Sequence, residues 1–283
     1  MMDTDFPVPS DVPMPQTAQT VLIVAMTVLA ALSLAYAVHA SVRRRDLVHL
    51  WLFIGAGLAI PYEALGDNLV HVYYTEKGQI GWVTTFGHSI PAFIGILYFW
   101  YLPILGYVMI RRAKTGVSAR RFWLEWCGFL GFAIFFEMLV TNIGGTTWIY
   151  YGPQAFKLAD VPVLTPFTYV SFMVAIAGAF CALERLLPRG RQWLIVPAVP
   201  MVMAGSHAMT SLPLAVALHS GTINTAYIAI GAIGTALFAV LLAYVVGLGV
   251  RKPWARPADA TESAAQLNVS DRLHIAPTTL GAH

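Results

Sequence analysis

Between Thr20 and Val250 the chain runs as a succession of apolar stretches of about 20 residues, broken by short polar connections. A helix of that length crosses the hydrocarbon of a bilayer. In lipid every backbone N–H and C=O must be paired within its own segment, so such a chain is restricted to a bundle of transmembrane helices. The low charge content agrees: 11% of residues are Asp, Glu, Lys or Arg, against roughly 25% in a soluble domain. Seven spans are expected, at Thr20–Val42, Leu47–Val70, Phe86–Ile110, Phe122–Thr141, Val163–Leu183, Trp193–Thr210 and Thr222–Val250.

An odd number of spans puts the termini on opposite sides. Basic residues collect at Arg43–Arg45, at Arg111, Arg112, Lys114, Arg120 and Arg121, at Arg185, Arg189 and Arg191, and at Arg251, Lys252 and Arg256, whereas the intervening loops hold only Lys77 and Lys157. By the positive-inside rule the N-terminus is outside and the C-terminus cytoplasmic. The expected fold class is therefore all-α, a polytopic integral membrane protein in three parts. Residues 1–19 form a Pro-rich extracytoplasmic segment, 20–250 the seven-helix domain, and 251–283 a polar tail expected to be disordered.

Several classes are disfavoured. No basic stripe with interleaved aromatics marks a nucleic-acid partner, and Cys127 and Cys181 both fall in apolar spans, which argues against a disulfide framework. Residues 1–16 carry Asp3, Asp5 and Asp11 with no basic residue, unlike a cleaved signal peptide. A rhodopsin-type pigment needs a lysine in the last span, and there is none. Neither Glu-x-x-His nor His-x-x-x-His occurs in the spans, so no metal site and no cofactor are expected.

What demands explanation is acid at lipid depth. Glu63, Asp67 and His71 recur at i, i+4 and i+8, within a helical face about 80° wide. Asn68 lies beside them, His88 opens the third span, Glu137 and Asn142 close the fourth, His207 closes the sixth and Asn224 opens the seventh. With the topology above, all these positions lie toward the outer side, which favours a shared cavity. The inner half holds Glu125 and Glu184, each near a basic loop where it can snorkel. The loop from Gly144 to Pro153, with Trp148, Tyr150 and Tyr151, is expected to cap the outer end. The aromatic run Tyr98, Phe99, Trp100 and Tyr101 suits core or lipid contact, and its rings could also line a pocket for an apolar cation.

The structural alternative is a hydrogen-bonded network that fastens helices. The functional reading is that intramembrane acids mark a site. In a low-dielectric pocket two carboxyls and a histidine titrate apart, so one carboxyl stays protonated near neutral pH and serves as an acid. It can protonate a lipid-soluble substrate while its ionised neighbour and the aromatics stabilise the resulting cation. Cyclisation, hydration and dehydration fit, and no nucleophile elbow, phosphate loop or nucleotide fingerprint supports other chemistry.

The segments Glu63-Ala-Leu-Gly-Asp67, Tyr73-Tyr74, Phe86-Gly-His88-Ser-Ile-Pro91 with Tyr98-Phe-Trp100-Tyr101, Tyr150-Tyr151-Gly-Pro-Gln154-Ala-Phe156-Lys157 and Val161-Pro162 resemble the spirocyclase family typified by AveC, a group of actinobacterial polytopic membrane proteins. The likeness covers about the middle half of the chain. It departs from the family pattern at Ala64, where a proline is frequent, and at His88, where another basic residue is frequent. The resemblance implies spiroketal formation from a dihydroxy-ketone polyketide with loss of water, in the bacterial cytoplasmic membrane. Glu63 and Asp67 would divide the acid and base roles, with Glu137 or His71 tuning them. His88, Asn68, Tyr98, Trp100, Tyr101, Asn142, Trp148, Tyr150, Tyr151 and His207 are the expected substrate contacts. Two other classes share the acid pattern: membrane terpene cyclases or carotenoid hydratases, which protonate isoprenoids, and non-catalytic carriers of lipids or small molecules. The expected partners are thus a lipid-soluble small molecule and membrane lipid.

Overall fold

The computed structural model describes residues 6–142, 145–186, 190–221 and 224–250. The expected tail at 251–283 and residues 1–5 of the N-terminal segment lie outside the described residues. The helices are α1 (Gln16–Arg44), α2 (Val48–Ala59), α3 (Glu63–Val70), α4 (Ala92–Thr115), α5 (Ala119–Asn142), α6 (Pro166–Leu186), α7 (Ile195–Leu218) and α8 (Thr225–Val250). They supply seven helical segments long and apolar enough to cross a membrane, α2 and α3 counting together as Val48–Val70. Their exposed faces carry rows of large apolar side chains such as Val21, Val24, Val28 and Leu32 on α1 and Leu237, Leu241 and Tyr244 on α8. Continuous apolar surface on that scale needs a non-aqueous neighbour, which lipid provides.

The second span is broken, where its apolar length alone predicts one continuous helix. Pro61 has no N–H to give the ladder, and Ile60–Tyr62 tighten into a 3-10 turn before α3 begins. α3 then stops at His71, whose left-handed backbone (φ 57°) turns the chain out of the helix. His71 therefore leaves the face that Glu63 and Asp67 share. The third span also starts later than expected. Phe86 and Gly87 both have positive φ, the signature of a two-residue hairpin turn, and they join strands β2 (Gly81–Thr85) and β3 (His88–Pro91). α4 begins only after Pro91. The sixth span runs further, through Pro213 to Leu218, helped by Thr235 of α8, whose hydroxyl takes the Leu214 N–H at 3.2 Å.

The chain is thus not purely helical. β1 (Val72–Tyr74) pairs antiparallel with β4 (Trp148–Tyr150), placing Tyr74 opposite Trp148 and Val72 opposite Tyr150. β5 (Lys157–Leu158) pairs with β6 (Val161–Pro162) around Ala159 and Asp160, again both at positive φ. All three strand pairs sit at one end of the bundle, here called the hairpin end; the opposite, basic end carries Arg43–Arg45 and the α4–α5 connection. The N-terminal segment is fastened to the hairpin end: Met14 N–H bonds to Lys77 O at 2.9 Å, and the Gln19 side chain accepts the Ile80 N–H.

α4 and α6 form the middle of the bundle. α1 lies along α4 and α2, α2 packs between α4 and α7, α6 touches α4, α7 and α8, and α5 rests on α6. Where α2 meets α7, a Cβ on Gly55 would come within 2.8 Å of the Val196 carbonyl; where α7 meets α8, one on Gly231 would come within 2.7 Å of the Pro213 carbonyl. Small residues at these crossings let the backbones approach, as in other membrane bundles.

Candidate functional site

The short α3 presents Glu63, Gly66 and Asp67 to a cleft of about 860 Å³, its open side included. α4 contributes Leu97, Tyr98, Trp100 and Tyr101, α5 contributes Phe132, Ala133, Phe136 and Glu137, and α7 contributes Met203 and His207. Val72, Tyr74 and Trp148 of the β1–β4 ribbon close it toward the hairpin end, and Tyr169 and Phe172 of α6 form its back. The two acids of α3 and the acid of α5 therefore share one aromatic chamber, as their common depth in the sequence predicted.

Glu63 and Glu137 are held in the same way by different donors. The hydroxyl of Tyr74 donates to Glu63 Oε1 at 2.7 Å and that of Tyr98 to Oε2. Glu137 Oε2 receives the Trp148 indole N–H at 3.1 Å and the Tyr150 hydroxyl at 2.9 Å, and Tyr150 in turn meets the Tyr169 hydroxyl at 3.2 Å. Phenol and indole donors favour a carboxylate acceptor. Burial, then the nearby Asp67 and Glu63, push the Tyr74 phenol well above its ordinary range; burial, then Glu137, does the same to Tyr150. Both stay protonated and keep donating.

Asp67 differs. It is 9% exposed and lines the chamber, and its carboxyl has no hydrogen-bond partner among the described residues. His207 is the second group with something left to offer. Its Nδ1 meets the Tyr62 hydroxyl at 3.1 Å, while its buried Nε2 has no partner among the described residues. The close approach of Gly66 sets the position of that ring, since a Cβ there would lie 2.9 Å from the imidazole. The chamber thus combines two engaged carboxyls, one unengaged carboxyl, one open imidazole nitrogen and a ring of aromatic faces. That set can give a proton, take one back and stabilise a cation between.

Of the residues expected from sequence, Glu63, Asp67, Glu137, Tyr98, Trp100, Tyr101, Trp148 and His207 line the chamber. Tyr150 stands behind it on Glu137. The others are elsewhere. The His71 ring is buried, stacked on Tyr151 at 4.8 Å and set edge-on to His219 at 4.6 Å, and burial, then His219, lowers its pKa to about 4. Asn68 takes part through its carbonyl, which His219 Nε2 meets at 2.9 Å. His88 lies in the β2–β3 hairpin, 3.9 Å from Glu76. Asn142 ties the end of α5 to the Ala159 carbonyl, and Asn224 caps α8 through the Ala226 N–H.

Tyr62, Tyr74, Tyr169, Phe132, Phe136 and Phe172 complete the arrangement without having been singled out as site residues. Tyr74 had a signal in the Tyr73-Tyr74 segment of the resemblance, and Tyr62 in its adjacency to Glu63. Tyr169 is a single tyrosine in an apolar run and had none. Toward the basic end the expected snorkelling of Glu125 takes the form of ion pairs with Arg112 at 3.1 Å and Arg121 at 2.9 Å. At the same end His49 joins α2 to Ser33 of α1 at 3.2 Å and packs edge-on against Tyr36 and Tyr107. Among the described residues no cluster of three or more His, Cys, Asp or Glu side chains has the geometry to hold a metal ion.

Comparison of the chain with protein-family models, characterised proteins and solved structures finds no match.

Proposed function

We propose that this protein is a membrane-embedded acid/base cyclase that closes a spiroketal from a dihydroxy-ketone with loss of water, as the resemblance to the AveC-type spirocyclases implies. The observation that carries the reading is Asp67: an unengaged carboxyl facing an aromatic cleft, between two carboxyls already supplied with donors.

The ketone is held by His207 Nε2, and one substrate hydroxyl adds to its carbon to give a hemiketal. Asp67, protonated, gives its proton to the hemiketal hydroxyl, and water leaves. The oxocarbenium ion that remains faces Glu63, Glu137 and the rings of Trp100 and Tyr101, which stabilise its positive charge. The second hydroxyl attacks the cationic carbon and returns its proton to the Asp67 carboxylate. One water is released, and the enzyme is restored. Glu63 and Glu137 act as fixed acceptors held by Tyr74, Tyr98, Trp148 and Tyr150. This replaces the sharing of acid and base between Glu63 and Asp67 expected from the resemblance, and removes His71 from the chemistry. In this reading the hairpin end faces the outside of a bacterial cytoplasmic membrane and the basic end the cytoplasm.

The test is incubation of the purified protein with a ketodiol and, separately, with an isoprenoid epoxide, followed by mass spectrometry. A product lighter than the ketodiol by one water, formed by the wild type and lost in Asp67→Asn, supports the proposal. Cyclisation of the epoxide alone favours the terpene-cyclase class. Recovery of both compounds unchanged, with uptake into protein-containing vesicles, favours a carrier.

A further inference from the structure

We infer that the chamber opens sideways into the bilayer, through the gap between α4 and α5, and that its ligand is a lipid-soluble molecule with a narrow oxygen-bearing end and an apolar tail. This rests on the preceding reading in that the acids are taken as the reacting groups.

The hairpin end is built shut. Thr75 and Thr147 are fully buried and bonded across the β1–β4 junction, the hydroxyl of Thr75 to the Thr147 carbonyl at 3.2 Å. Gln154 donates to the Val70 carbonyl at 2.9 Å, and the Tyr151 N–H to the His71 carbonyl at 3.0 Å. Val72, Tyr74, Trp148 and Tyr150 are buried beneath. A water-borne ligand entering there has to break this ribbon.

The side is different. α5 finds its helical neighbour in α6 and stands off α4, whereas α4 is covered along another flank by α1. The chamber reaches the surface between these separated helices: Leu97, Trp100 and Tyr101 of α4 and Phe136 of α5 are half-buried, and Phe132 is 43% exposed. Counted from the hairpin-end termini of the two helices, these residues lie about 8–15 Å down, at matching depth and inside the hydrocarbon. The mouth is apolar, and the polar groups Asp67, Glu63 and His207 lie behind it. A hydrated or charged ligand gains nothing at such an opening. A molecule already dissolved in the bilayer passes it with its oxygen-bearing end first and leaves its tail between α4 and α5.

Carbodiimides test the route independently of catalysis, because a protonated carboxyl adds across the reagent's C=N bond and rearranges to a stable N-acylurea. Protein with Cys127 and Cys181 replaced, in lipid vesicles, is treated with lipid-soluble dicyclohexylcarbodiimide or with a charged water-soluble carbodiimide, and peptides bearing Glu63, Asp67 and Glu137 are followed by mass spectrometry. The lipid-soluble reagent should label at least about tenfold faster; Ala133→Trp, which fills the mouth, should slow it by about tenfold, and Phe136→Ala should speed it. Equal labelling by the charged reagent, rates indifferent to both substitutions, or failure of both reagents to reach any of the three acids would overturn the portal. Labelling that obeys the portal while the ketodiol stays unconverted would retain the route and reject the cyclase. Conversion with rates blind to Ala133 and Phe136 would do the reverse.

Discussion

Asp67 and Glu63 share a helix, yet only Asp67 has a carboxyl left open to the chamber. Replacing it with Asn keeps shape and removes the transferable proton, so Asp67→Asn should lower turnover by about 10²–10⁴-fold with little change in melting temperature. Tyr98→Phe should act differently, removing one donor from Glu63 and costing about 1–3 kcal/mol of stability along with part of the activity. His71 gives a pH prediction free of catalysis. Its folded-state pKa of about 4 lies below its ordinary value of 6.5, so between those values the unfolded chain binds a proton that the folded chain refuses. The stability owed to neutral His71 is full above that window, falls as the pH drops through it and is gone below about 4, a loss on the order of 3 kcal/mol. Thermal unfolding in detergent at neutral and acid pH should show a larger acid loss for the wild type than for His71→Asn, a substitution that tolerates the left-handed backbone. At this scale the sequence exposed the acids, because charge at lipid depth has few innocent explanations. It did not separate His71 from Asp67, because helical periodicity cannot foresee that His71 itself turns left-handed and ends the helix.

Elements were legible in proportion to their apolar length. The seven spans emerged from hydropathy alone, but their ends followed local chemistry that hydropathy does not weigh: the hairpin turn at Phe86-Gly87, the missing N–H of Pro61, and the Thr235 hydroxyl that lets α7 continue past Pro213. Three short strand pairs were missed, since two to five residues give no measurable alternation. The crossings between helices can be tested directly. Gly55 and Gly231 sit where a methyl would meet a neighbouring backbone carbonyl at 2.8 and 2.7 Å, and a carbonyl cannot rotate aside as a side chain can. Gly55→Ala and Gly231→Ala should each lower stability by about 1–3 kcal/mol, read as an earlier thermal transition. Gly205→Ala, with open space around the new methyl, is the control and should be neutral. A drop for all three would indicate a general intolerance of α2, α7 and α8 to substitution and would remove the argument from close approach.

At the scale of the molecule, the two ends differ in chemistry as well as shape. One carries Arg43–Arg45, Arg111, Arg112, Lys114, Arg120 and Arg121; the other carries the two hairpins and the β1–β4 ribbon, the fastened N-terminal segment and, one to two turns below them, the acids. Lysine and arginine in short loops resist translocation, so the basic end should face the cytoplasm. The chamber then lies in the outer half of the bilayer, where a lateral opening receives molecules from the outer leaflet. Single cysteines in a Cys127- and Cys181-free background decide the matter. Phe86→Cys, at the exposed tip of the β2–β3 hairpin, should react with a membrane-impermeant maleimide on intact cells, while Thr115→Cys, exposed at the end of α4, should react only after the membrane is opened. The opposite pattern would put the acids in the inner leaflet. The chamber and its chemistry would be unchanged, but the leaflet that supplies the substrate would be reversed.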